Sequence, residues 1–145
     1  MSDARTIDTL LAQYSESHLN PTNEIIHCIC VPLIVFSLLG LIWAVHPLLA
    51  VAGTLAALVY YFKLSRNFAL GMLVMAAFML ALLRALPPGA VMPLSVTIFV
   101  LAWIGQFIGH KIEGKKPSFF DDLRFLLIGP LFVLGFLYRR LKLAY

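Results

Sequence analysis

The chain reads as an all-α integral membrane protein: four to five transmembrane helices preceded by a short amphipathic N-terminal helix. Three observations predict this. Of its 145 residues, 61% are hydrophobic and only 12% charged, whereas a soluble domain is about half apolar and a quarter charged. A chain of this length forms one domain, taken as residues 1–145, with too little interior to hide so much apolar surface from water. The apolar residues also fall into long runs separated by short breaks, and basic residues cluster at the run ends, where lipid headgroups anchor them.

The elements follow in order. Between Ala4 and Ser17, Ile7, Leu10, Leu11 and Tyr14 recur at i, i+3, i+4, i+7 spacing, which predicts a short amphipathic helix lying on the membrane surface. Asp3, Arg5, Asp8 and Glu16 interrupt this segment, so it has no apolar core of the kind a signal peptide needs. Asn20-Pro21 reads as an N-cap followed by proline at the first helical position, opening an apolar helix from about Ile25 to Val45. His46-Pro47 breaks it, and a second helix ends near Phe62. Lys63, Ser65, Arg66 and Asn67 then form a polar turn. A third helix runs from about Phe68 to Leu86, Pro87-Pro88-Gly89 is a breaker, and a fourth helix runs from about Met92 to Ile108. Gly109 to Arg124 is the longest polar stretch. A fifth apolar segment, Phe125 to Tyr138, carries Gly129-Pro130, which should kink it, and precedes Arg139, Arg140 and Lys142. A span needs roughly 17–25 residues. The first and third helices fit, the second and fourth are near the lower limit, and the fifth is short unless a cap at Ser118 lengthens it. The expectation is four full spans plus one partial.

Charge predicts orientation. Arg5, Lys63, Arg66, Lys111, Lys115, Lys116 and Arg124 share one face of this topology, and Arg84 stands opposite. The positive-inside rule puts the first face in the cytoplasm, with a bacterial inner membrane as the expected location. The net charge of +4 is not arranged as a basic stripe interleaved with aromatics, which argues against a nucleic-acid partner. Cys28 and Cys30, at i,i+2 on one helix, point to different faces and read as small apolar fillers.

Histidine carries the chemistry. Of the four, His18, His27 and His110 fall at the expected cytoplasmic end, because the first and fourth helices run antiparallel. His46 lies nineteen residues beyond His27, about 28 Å away at a rise of 1.5 Å per residue, and reads as structural. Imidazole suits zinc, iron, copper and nickel. Asn23 is four residues before His27, and Gln106 and Glu113 are four before and three after His110, so each shares a face with its histidine if the helix continues. Two or three histidines with a carboxylate and open positions suit a non-haem iron(II) site. Histidines at a membrane boundary also serve as headgroup contacts or helix caps, and spacing alone leaves both readings open. It also leaves open a b-type haem held by His27 and His110, and a non-enzymatic membrane scaffold. The many-histidine boxes of di-iron desaturases are absent.

Two motifs resemble a known family. His18-Leu-Asn-Pro-Thr-Asn23-Glu-Ile-Ile-His27 with Val31-Pro32, and Trp103-Ile-Gly-Gln106-Phe-Ile-Gly-His110 with Glu113, Pro117 and Gly129-Pro130, are similar to segments of a small family of membrane proteins. That family contains the fungal 2-hydroxy fatty acid dioxygenase of phytosphingosine breakdown and many bacterial relatives. The resemblance extends over nearly the whole chain, although Cys30 stands where glycine is common and the tail after Leu134 is more basic. It implies Fe(2+)-dependent α-oxidation of a 2-hydroxy fatty acid by O2, giving a fatty acid one carbon shorter and CO2. His18, His27 and His110 match the family's histidines and are the expected metal ligands. Glu113 is expected as a further contact, Asn23 and Gln106 as orienting groups, and Lys115, Lys116 or Arg124 as attractors of the substrate carboxylate.

Overall fold

The computed structural model describes residues 6–15, 20–114 and 128–143. They form α1 (Thr6–Ser15), α2 (Pro21–Val45), α3 (Pro47–Leu64), α4 (Arg66–Ala85), α5 (Pro88–Glu113) and α6 (Ile128–Leu141), with no strand among the described residues. Four helices, α2 to α5, are long and apolar enough to cross a membrane. Their outward faces carry large apolar side chains such as Val45, 71% exposed, and Val74, 70% exposed. Lipid is the solvent that suits such surfaces.

Local chemistry sets the helix ends. Asn20 Oδ1 accepts from the Thr22 N–H at 2.9 Å and Pro21 occupies the first turn, so α2 starts as the sequence predicts. His46 is a single extended residue (φ −164°, ψ 128°) that ends α2 and caps α3, its Nδ1 accepting from the Leu48 N–H at 3.1 Å. Ser65 separates α3 from α4 in the same way, its Oγ accepting from the Phe68 N–H at 3.4 Å. The expected four-residue polar turn therefore shrinks to Ser65, with Lys63 inside α3 and Arg66 and Asn67 inside α4.

The largest correction concerns α5. It opens at Pro88, not Met92, and runs past Ile108 to Glu113. The polar stretch from Gly109 therefore begins inside the helix, and the stop comes at Gly114. There a left-handed backbone (φ 77°) closes the helix onto the His110 and Lys111 carbonyls. Of the fifth apolar segment, α6 is described from Ile128 to Leu141, with Gly129-Pro130 in its first described turn; Phe125 to Leu127 lie outside the described residues.

The pairing of α2 with α5 dominates the packing. Small residues allow it. A Cβ on Gly40 would collide with the Ser95 hydroxyl, and one on Gly109 with Asn23 Oδ1. Close approach of helix backbones at small residues is a common way for membrane helices to associate. Ile34, Ala102 and Trp103 form the seam's apolar middle.

A second cluster joins Ile7 of α1 to Tyr61, Phe68, Met72, Ile128 and Leu131. At Ile7, fully buried, and at Leu11, packed against this cluster, the N-terminal helix meets protein rather than lipid. The described part of α6, 14 residues, is about 21 Å long. It stays at the Ser65 end of the bundle: Ile128 and Leu131 pack on Tyr61 and Phe68, and Tyr138 donates to the Asn67 carbonyl at 2.7 Å. Arg139 and Arg140 thus emerge on the side that carries Lys63 and Arg66.

Candidate functional site

The α2–α5 seam brings the two buried histidines together. His27 is completely buried and His110 is 6% exposed. Their ring centroids stand 5.3 Å apart with planes at 82°. His27 Nδ1 lies 3.0 Å from the Asn23 carbonyl, one helical turn back. A carbonyl only accepts, so Nδ1 carries the proton and the ring presents Nε2 as its basic nitrogen. This backbone support of one nitrogen, orienting the other, is the usual setting of a metal-binding imidazole.

Asn23, completely buried, and Gln106, 3% exposed, flank the pair. Gln106 Oε1 is buried and has no hydrogen-bond partner among the described residues. Such an oxygen costs folding energy unless it serves a ligand, a water or a proton. Glu113 ties the seam together. Its Oε1 accepts from the Asn20 backbone N–H at 2.8 Å and from Asn23 Nδ2 at 3.1 Å. The carboxylate thereby sits against the N-terminus of α2, where an anion is favoured, and connects through Asn23 to His27. Gly109 makes this possible: a Cβ there would run into Asn23 Oδ1 and stand 3.2 Å from His27 Cε1.

The spacing fits a shared metal. With a metal–nitrogen distance of about 2.0–2.1 Å, two imidazoles on adjacent positions of one ion have centroids roughly 4.5–5.2 Å apart, and two on opposite sides roughly 6.4 Å. The observed 5.3 Å matches the adjacent arrangement. Among the described residues, no group of three His, Cys, Asp or Glu side chains is placed to hold a metal ion; Glu113 is engaged with α2 instead. The expected third ligand, His18, lies outside the described residues, as do Lys115, Lys116 and Arg124. His46 sits at the opposite end of α2, where it serves as a cap.

Sequence spacing identified His27, His110, Asn23, Gln106 and Glu113 as sharing one end. It missed the bond from Glu113 to the Asn20 backbone. An acidic residue at the end of one helix signals a partner only once the helix opposite is known.

The comparisons with known proteins point to one family. A family model described as "Mpo1-like: 2-hydroxy-palmitic acid dioxygenase Mpo1-like" matches residues 4–141. The chain is 28% identical over 130 residues to the 2-hydroxy-palmitic acid dioxygenase MPO1 of Saccharomyces cerevisiae, covering 86% of this chain and 75% of that protein. No solved structure matches.

Proposed function

Because the chain belongs to the Mpo1-like family, we propose that it is a membrane dioxygenase that shortens a 2-hydroxy fatty acid by one carbon. The reaction balances as R–CHOH–COOH + O2 → R–COOH + CO2 + H2O: the bond between the carboxyl carbon and the hydroxyl-bearing carbon breaks, and that second carbon is oxidised to the new carboxyl. The observation that carries the reading is the buried His27–His110 pair at ligand spacing, in a chain similar over most of its length to a protein named for this substrate.

His27 through Nε2, His110 and His18 would hold iron(II). The iron would supply the coupling of O2 to the substrate and chelation of its adjacent carboxylate and hydroxyl oxygens. The chain's own residues do the rest. The Asn23 carbonyl fixes the His27 tautomer. Glu113 holds the start of α2 against the end of α5. Gln106 Oε1, buried without a partner among the described residues, can accept a hydrogen bond from the substrate hydroxyl. Lys115, Lys116 and Arg124 supply cationic attraction for the carboxylate.

Helix length supports an interfacial site. The 25 residues of α2 and 26 of α5 are about 38–39 Å long against a hydrocarbon core of about 30 Å. With that excess shared between the two ends, His110 lies at the edge of the hydrocarbon core and His27 about 5 Å inside it, close to where a fatty acid carries its carboxylate, and the basic bias favours the cytoplasmic side of a bacterial inner membrane. A haem between the two rings is disfavoured by their separation, which is shorter than opposite-side ligation requires.

The test is product analysis. Purified protein supplied with iron(II), O2 and 2-hydroxypalmitic acid is expected to release the acid one carbon shorter with CO2. Unsubstituted palmitic acid, lacking the second chelating oxygen, is expected to be a poor substrate. Folded, iron-loaded protein that shortens no 2-hydroxy acid across a range of chain lengths would reject the reading.

A further inference from the structure

A second feature lies on the same helix as His27. A cavity of about 230 Å³ lies between α2, α3 and α4, with Pro130 of α6 also in its lining. Val35, Leu38 and Ile42 form its α2 wall, and Ala50, Gly53 and Ala57 its α3 wall. Its two polar side chains offer little to a headgroup. The Thr54 hydroxyl is spent on the Ala50 carbonyl at 2.8 Å, and Tyr61 stands at the end nearest the histidines.

Resting on the proposed reaction, we infer that this cavity seats the alkyl tail of the 2-hydroxy acid whose head binds at His27 and His110. Reach is the first argument. Eight residues separate His27 from Val35 and fifteen separate it from Ile42, about 12 and 22 Å along the axis. A sixteen-carbon tail is about one leaflet long, roughly half of the ~30 Å hydrocarbon core. A tail starting at His27 therefore ends beside Leu38, inside the cavity. Direction is the second argument. On α2 the face bearing His27 and Ile34 and the face bearing Val35, Leu38 and Ile42 are roughly a quarter turn apart, so the helix that presents the imidazole also walls the cavity. Size is the third: the volume suits part of one chain, below the roughly 300–1,000 Å³ of sites that enclose a whole ligand, and leaves no room for a second tail beside it.

Gly53 provides the tool. A Cβ there meets nothing within 4 Å, and replacing glycine inside a helix favours folding, so Gly53→Phe adds a ring to the cavity wall from a position with room for its Cβ. Each buried methylene contributes about fourfold in affinity. Displacing two or more is expected to lower kcat/KM for long acids relative to shorter ones more than tenfold.

The direct experiment uses 2-hydroxypalmitic acid carrying a diazirine near its methyl end, irradiated with the full-length protein. The expected result is adducts on Leu38, Ile42 and the stretch from Ala50 to Leu58, competed by excess unlabelled 2-hydroxypalmitic acid and weakened severalfold by Gly53→Phe. Adducts that resist competition, or that map only to outward residues such as Val96 and Ile104, would overturn the tail site. Competed cavity adducts in a protein without oxygen-dependent chain shortening would sustain the tail site and reject the reaction. Chain shortening with adducts elsewhere would do the reverse.

Discussion

At the scale of single residues, the site depends on a chain of contacts running Glu113–Asn23–His27. Glu113→Gln keeps an oxygen able to accept from the Asn20 N–H and from Asn23, but it loses the anion at the α2 N-terminus, worth about 0.3–1 kcal/mol. Glu113→Ala removes the acceptor as well. Iron affinity is therefore expected to fall in the order wild type, Gln, Ala, with the alanine variant about 10–100-fold weaker, the usual penalty for losing a group that orients a ligand. Iron titration followed by thermal unfolding separates weakened binding from unfolding; equal affinity across the series would remove Glu113 from the site. Much of this was legible in the sequence. His27 with Asn23, and His110 with Gln106 and Glu113, are spaced to share helix faces, and antiparallel spans put both groups at one end. The meeting of the Glu113 carboxylate with the Asn20 backbone was not legible, because it depends on the relative height and rotation of two helices ninety-three residues apart in sequence.

At the scale of elements, the seam is as close as its glycines allow. Gly109→Ala places a methyl group where Asn23 and His27 already stand. It is expected to cost about 1–3 kcal/mol, as overpacking does, and to lower iron occupancy with it. Gly53→Ala, in open space, is expected to leave stability unchanged or raise it by up to about 1 kcal/mol. Thermal unfolding of the two variants side by side checks the contrast; equal effects would mean that Gly109 is not a contact point. The sequence puts the end of the fourth helix near Ile108 because a charged stretch follows it; a small residue at Gly109 suits helix packing, and the structure shows what it packs against, since the missing side chain makes room for Asn23. The place of α6 was less legible: it is set by Phe68 and Tyr61 of neighbouring helices, contacts that no pattern along its own segment announces.

At the scale of the whole molecule, four long apolar helices set the topology, and composition alone was enough to announce them. The C-terminal part of α6 is held at Asn67 through Tyr138, so Arg139 and Arg140 join Lys63, Arg66 and Lys111 at the histidine end. This concentrates the positive charge where the positive-inside rule puts the cytoplasm. In a Cys28→Ala, Cys30→Ala background, Lys63→Cys and Gly89→Cys are expected to react with a membrane-impermeant thiol reagent from opposite sides, Lys63→Cys from the cytoplasmic side. Reaction of both from one side would break the four-span topology, and with it the meeting of His27 and His110.

The claim on which the rest depends is that these two histidines hold one iron ion. Anaerobic loading of tag-free protein with iron(II), followed by removal of excess metal and quantification per folded chain, tests it most directly. The account predicts one iron per wild-type chain and per His46→Ala chain, since His46 only caps α3. It predicts near-complete loss in His27→Ala and in His110→Ala proteins that retain the wild-type helical circular dichroism. Full loading of folded His27→Ala or His110→Ala protein, or no retained iron in the wild type, would contradict it.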